Sequence, residues 1–339
     1  MTGRFVVIGA GAVGCVLAAQ LRLSGHPVVL VARGEQLRVL RGSGLKVRRP
    51  AGDEIVAVPV ATGPEDVAPT RGDVLVLAVK AQDAEAALAD WAWTPLDGGG
   101  AGADLPVLTL QNGLAAEDAA LRRFRDVFGV SIGIAASFLE PGEVVSPSYP
   151  TVGVLRIGRY PDAEDPRAEE YAAILRRAGF AARAVDRVSS WKAAKLVINT
   201  ANGLDLFTGT DHERARARTA LATEARAVLL ASGRAIAEDD GVRLVVDPVP
   251  GHVPGRLSTW QSFARGAGSE VDLLNGEIVL LARRTGVPAP VNERLQSLLG
   301  RRGAEAARAP LALAELLHPG TVTPDSVPPG TVPSERVPA

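Results

Sequence analysis

The 339-residue chain has a single cysteine, Cys15. An internal disulfide is therefore excluded, and no cysteine cluster for a metal ion can form. Cys15 falls in the first turn of a predicted helix, where it reads as a small packing residue rather than a nucleophile. A surplus of charge of either sign is also missing. The 37 lysines and arginines nearly cancel the 38 aspartates and glutamates, for a formal net charge of −1. Without a global field to attract a polyanion, neither nucleic acid nor an anionic membrane is an expected partner. Any anion specificity has to come from local placement of cations. Long apolar runs are absent too. The stretch after Arg4 invites comparison with a leader or a short membrane span, but it is too short and too rich in glycine to span. Its glycines also keep a spacing that a leader has no reason to keep. The expected setting is the cytoplasm.

Those glycines carry the first positive signal. The apolar strand Phe5 to Ile8 runs into Gly9-Ala10-Gly11-Ala12-Val13-Gly14, and a helix follows from Cys15 to Leu23. In this context Gly9 permits a tight turn, Gly11 lets the backbone approach a diphosphate, and Gly14 lets the helix pack against the strand. The free amides at the helix start face the diphosphate with a favourable dipole. A second strand, Val28 to Ala32, ends in Arg33. NAD-binding sites usually place an acidic residue there to hold the ribose 2′-hydroxyl, whereas a cation suits the 2′-phosphate of NADP(H).

Strand and helix patterns then alternate through the first half, in the manner of a doubly wound α/β fold. Leu45 to Arg49 and Glu54 to Val60 read as a hairpin, while Val74 to Val79 and Pro106 to Leu110 read as buried parallel strands. From about Ser189 the periodicity becomes helical, over Trp191–Leu206, Arg214–Asp240, Arg256–Arg265, Glu270–Thr285 and Asn292–Arg302. The expected organisation is a Rossmann-type domain over 1–188, an all-helical domain over 189–305 and a Pro-rich disordered tail over 306–339, with the active site between the two domains.

A reductase needs a group that gives a proton to the carbonyl oxygen of its substrate. The helix from Trp191 offers Lys192 and Lys195, with Asn199 and Asn202 four and seven residues beyond Lys195. Lys195, Asn199 and Asn202 are expected on one face of that helix. A lysine and two asparagines on an otherwise apolar helix are costly unless something satisfies them. A solvated edge of the domain interface would do so equally well.

Several separated segments, in order, resemble the ketopantoate reductase family (2-dehydropantoate 2-reductases). They are the glycine motif with Arg33, Val79-Lys80-Ala81-Gln82, Leu110-Gln111-Asn112-Gly113, Pro141-Gly142-Glu143-Val144, the Lys195/Asn199 helix, Ser258-Thr259-Trp260-Gln261, and Ser269-Glu270-Val271-Asp272-Leu273-Leu274-Asn275-Gly276. The resemblance covers the chain from Arg4 to about Leu299. It implies NADPH-dependent reduction of a small 2-keto acid, with Lys195 as proton donor and Glu270 orienting Lys195, the substrate and the cofactor. Asn199, Asn202 and Ser258 would bind substrate. The cofactor would be held by Gly9, Ala10, Gly11, Ala12, Val13, Gly14, Arg33, Lys80, Asn112, Ala136 and Glu270. No metal is implied, and a homodimer is plausible. Three positions depart from the family's pattern, all on the substrate side. Asn202 lies three rather than four residues after Asn199, Ser262 stands where Asp is frequent, and Gln111 precedes Asn-Gly where His is sometimes found. They keep open a reductase of another 2-keto acid or imine. A non-catalytic NADP-binding sensor is the rival of a different class.

Overall fold

The computed structural model describes residues 3–252, 259, 260, 263, 270–302 and 305–317. The first half contains β1 (Phe5–Ile8), α1 (Ala12–Leu23), β2 (Val28–Val31), α2 (Gly34–Ser43), β3 (Leu45–Arg49), β4 (Gly52–Val56), β5 (Val60–Ala61), α3 (Pro64–Val67), β6 (Val74–Leu77), α4 (Ala84–Ala92), β7 (Val107–Thr109), α5 (Ala115–Leu121), β8 (Val127–Gly133), β9 (Ser137–Glu140), β10 (Glu143–Val145), β11 (Val154–Tyr160), α6 (Pro166–Arg177) and β12 (Ala181–Ala184). Eight strands form one sheet in the order β12-β11-β8-β7-β6-β1-β2-β5. All its pairs are parallel except β11 with β8.

The strands read as continuous apolar runs because both faces are covered. Phe5, Val7, Val28, Leu30, Val74 and Val76 point into one core with residues of α1 and α6. The alternate residues Val6, Ile8, Val29, Val31, Leu75 and Leu77 point into a second core with α4 and α5. The chain leaves β1 toward β2 on one side and returns to β6 on the other. The carboxyl ends of β1 and β6 therefore flank the switch point, where doubly wound sheets bind ligands. A second sheet, β4-β3-β10-β9, covers the outer side of α1. The sequence pattern showed its β3–β4 hairpin but not β9 and β10, which turn at Pro141-Gly142 with Gly142 at φ +82.

The second half contains α7 (Val188–Asn199), β13 (Phe207–Thr208), α8 (Asp211–Ala231), α9 (Val271–Thr285), α10 (Pro290–Arg302), α11 (Glu305–Arg308), β14 (Leu311–Ala312) and α12 (Leu313–Leu317). Among the described residues its strands are the short parallel pair β13–β14, and 232–252 run without a helix. Two expected boundaries move. The helix expected to run to Asp240 ends at Ala231, because Ser232 caps it and Gly233 turns left-handed at φ +77. The tail does not begin at 306 as expected: Ala306, Leu311, Leu313 and Leu316 are buried against α8 and α10, so this stretch completes the helical core. Residues 318–339 lie outside the described residues. Among the described residues, no helix is long and apolar enough to cross a membrane, and no cluster of His, Cys, Asp or Glu could hold a metal ion.

Candidate active site

The glycine loop links β1 to α1 at the switch point, and its three glycines answer to different constraints. Gly9 has φ +116, and a Cβ there would stand 2.7 Å from the Val79 nitrogen. A Cβ on Gly14 would stand 1.9 Å from the Gly9 carbonyl oxygen. At Gly11 a Cβ would meet nothing within 4 Å. The protein itself thus demands glycine at 9 and 14, whereas Gly11 borders open space at the N-cap of α1. That cap has no side-chain hydrogen bond, and the first turn carries no acidic residue. Its unpaired amides are free to receive an anion. Ala10, Ala12 and Val13 form the rest of this edge. We expect Gly11→Ala to leave the melting temperature unchanged while weakening dinucleotide binding about tenfold, a loss of about 1.4 kcal/mol. Calorimetric titration beside thermal unfolding checks this; equal damage to both would make Gly11 a folding residue.

Cys15 is buried within the same helix, and burial pushes its thiol up to about 12, as befits a packing residue. Gln36 on α2 donates to the Ala10 carbonyl at 3.2 Å and accepts from the Gly142 amide at 2.7 Å. It therefore holds the glycine loop to the β9–β10 turn. Arg33 caps the start of α2 with an exposed side chain, its Nη2 3.3 Å from Asp90 Oδ2. An exposed pair of this kind is weak, so the guanidinium can turn to a bound anion.

The loops after β6 and β7 form the opposite wall and meet the helical half. Lys80 and Ala81 follow β6, and the Ala81 amide donates to Glu270 at 3.3 Å. Gly113, at φ +84, lies so close to α9 that a Cβ would stand 2.5 Å from the Leu273 carbonyl oxygen. Asn199 on α7 donates to Asn112 Oδ1 at 3.0 Å across the same boundary. Lys195 lies one turn before Asn199 on the partly buried side of α7. Burial, together with the Arg156 guanidinium, pushes its ammonium below the ordinary lysine range. Arg156 stacks on Trp191, 4.6 Å from the ring centroid, and shares Asp240 with Arg183.

The structure brings Lys195, Asn199, Asn112, Lys80 and Glu270 to this boundary, with two corrections to the expected arrangement. Glu270, buried at the start of α9, binds the Ala81 amide, and Lys195 makes no ion pair with it or with any other described carboxylate. Asn202 does not continue the α7 face. The helix ends at Asn199 and Asn202 opens a 3₁₀ turn, Asn202–Leu206. The helical ladder gives way at Ala201, whose amide turns to the Ile198 carbonyl while the Thr200 hydroxyl donates to that of Val197, and the Thr200 carbonyl accepts from the Asn275 side chain at 2.9 Å. Asn275 also donates to Asn292 Oδ1, which makes it an internal strut of the helical half. Ala136 sits partly buried between β8 and β9. Ser258 lies outside the described residues.

Two residues carry more than their sequence signal suggested. Gln36 gave none, since a glutamine on a polar helix is unremarkable. Glu117 gave a faint one, as a carboxylate set among the buried alanines of α5, Ala116, Ala119 and Ala120.

Residues 5–161 match the family described as ketopantoate reductase PanE/ApbA, and residues 187–302 match its C-terminal counterpart. The 2-dehydropantoate 2-reductase of Archaeoglobus fulgidus is 31% identical over 313 residues, covering 89% of this chain and 98% of that protein. Among solved structures, a PanE/ApbA family ketopantoate reductase from Ralstonia eutropha JMP134 superposes with a TM-score of 0.72 at 25% identity, over 90% of this chain and 99% of its own. A D-mandelate dehydrogenase solved with NADH and anilino(oxo)acetate shares the fold, with a TM-score of 0.73 at 19% identity over 89% and 99% of the two chains.

Proposed function

Because the chain belongs to the ketopantoate reductase family, we propose that it reduces 2-dehydropantoate (ketopantoate) to pantoate with NADPH. The observation that carries this reading is the meeting of the two walls. The open glycine edge lies at the switch point of the sheet, and the Asn112–Asn199 pair joins the loop after β7 to the helix that carries Lys195. Gly9 to Gly14 would hold the diphosphate, Arg33 the 2′-phosphate, and Lys80, Asn112, Ala136 and Glu270 the ribose and nicotinamide end. NADPH, when bound, supplies the hydride that adds to C2 of the keto acid.

The residues of the chain do the rest. Lys195 donates its proton to the C2 oxygen, so that the carbonyl becomes a hydroxyl and no alkoxide is released. Its lowered pKa suits a donor that must part with a proton near neutrality. The amides of Asn199 and Asn202, with Ser258, bind the polar groups of the substrate. Glu270 ties the Lys80–Ala81 loop to α9 and so holds the cofactor wall against the substrate wall. The packing of α9 on Gly113 keeps water from the join.

Loss of NADPH absorbance with ketopantoate and a panel of other small 2-keto acids tests the reading. Saturable turnover of ketopantoate well above the panel is expected. Preference for another member would keep the chemistry and move the substrate. Tight NADPH binding without turnover of any member would favour a sensor.

A further inference from the structure

Lys192 takes no part in that chemistry, yet it is the more deeply buried lysine of α7. Its side chain is 4% exposed and that of Glu117 on α5 is 2% exposed, with Nζ 2.7 Å from Oε1. The same ammonium donates to the Gln111 carbonyl at 2.6 Å. Thr109 donates to Glu117 at 2.7 Å, which fixes the carboxylate from the end of β7. Gln111 in turn donates its side-chain amide to the carbonyls of Leu77 and Val79, at 2.9 and 2.8 Å. One side chain of the helical half therefore grips the residue immediately before Asn112, and that residue is itself tied to the end of β6. Lys192, Lys195 and Asn199 follow one another at i, i+3 and i+7, so they form a single stripe along α7.

We propose that Lys192 is a positioning residue. Its ion pair with Glu117 and its hydrogen bond to Gln111 lock α7 onto the β7 loop, and so set where Asn112, Asn199 and Lys195 stand relative to the cofactor wall. The inference rests on Asn112, Asn199 and Lys195 serving the substrate as proposed above. It makes the two lysines of one helix divide the work, one buried and paired to fix the helix, the other without a carboxylate partner among the described residues and placed to give up a proton. A merely stabilising role predicts something different. A buried ion pair replaced as a whole by apolar groups of similar size usually costs little stability, whereas removing one partner strands a charge. A role in placement would not survive either change.

Lys192→Met, Glu117→Leu and the double variant separate these roles by thermal unfolding, NADPH affinity and steady-state kinetics. The single variants are expected to melt well below the parent. The double variant is expected to regain most of the melting temperature and bind NADPH within about threefold of the parent, yet show a KM for ketopantoate raised about tenfold or more and a lowered kcat. A double variant restored in stability and in both kinetic constants would overturn the proposal. If the parent enzyme turns over no 2-keto acid, the functional reading falls by itself. A crystal structure of the double variant then decides the placement: an Asn199–Asn112 contact kept at the parent's 3.0 Å would refute it, and its opening would uphold it.

Discussion

Lys195→Ala is expected to lower kcat with ketopantoate about a thousandfold, the range for loss of a well-placed proton donor, while the dissociation constant of NADPH stays near that of the parent. The reasoning starts from packing. Lys195 lies on an apolar helix, under the charge of Arg156 and with no described carboxylate in ion-pair range. Burial and that cation both disfavour the ammonium, so removing the side chain removes a cost of folding as well as the donor. The alanine variant should therefore melt no lower than the parent, which separates lost chemistry from lost structure. The pH profile provides an independent check. A donor must carry its proton, so the rate is highest on the acid side and falls as pH rises through the Lys195 pKa. Because that pKa is lowered, the fall begins below the usual lysine value of about 10.4. Arg156→Gln removes the neighbouring cation, raises the Lys195 pKa and moves the descending limb to higher pH. An alanine variant with near-parental kcat, or a limb that ignores Arg156, would remove Lys195 from the role.

The sheet was legible because its signals are local. The glycine spacing, the apolar runs of β1, β2, β6 and β7, and the change to helical periodicity near Ser189 each lie within a few residues of one another. What escaped depends on distant partners. β9 and β10 are short, and their sheet is completed by β3, whose paired residues lie 97 positions before those of β10. The Thr200 carbonyl just past α7 is taken by Asn275, seventy-five residues further on. No window around Asn199 contains that partner, and a helix continuing through Asn202 was the local reading. Leu311, Leu313 and Leu316 were similarly hidden beside a Pro-rich terminus, although each is buried against the helical core.

The candidate site divides along the same line. The residues proposed to meet the ligands, such as Gly11, Lys195 and Asn199, were candidates on the sequence alone. Their supports were not. Lys192 and Lys195 are equivalent as letters in Trp-Lys-Ala-Ala-Lys, and only the fold shows that Glu117 neutralises the first and leaves the second unpaired among the described residues. Glu270 illustrates the converse. The resemblance placed it beside Lys195, whereas the partner it has in the structure is the backbone amide of Ala81.

Arg33→Ala is expected to weaken NADPH binding about 10- to 100-fold while changing NADH binding by less than about threefold. The range follows from hydrogen bonds between a guanidinium and a phosphate dianion, each contributing about 1.5–3 kcal/mol. Position supports the assignment: Arg33 stands at the end of β2 and caps α2, where an NAD enzyme would place a carboxylate against the ribose. Its present partner, Asp90, is half-exposed and 3.3 Å away, so breaking that pair costs little. Asp90→Asn should accordingly tighten NADPH slightly by releasing the guanidinium, and the gain should shrink with added salt, since the groups are exposed. Arg33→Asp goes further. It repels the 2′-phosphate and offers an acceptor to a 2′-hydroxyl, so the preference should turn toward NADH. Fluorescence titration of both dinucleotides against the three variants reads all of this out. An equal loss of NADH and NADPH in the alanine variant would mean that Arg33 packs on the adenine or ribose rather than on the phosphate, and the choice of NADP(H) would then have to be made elsewhere in the cleft.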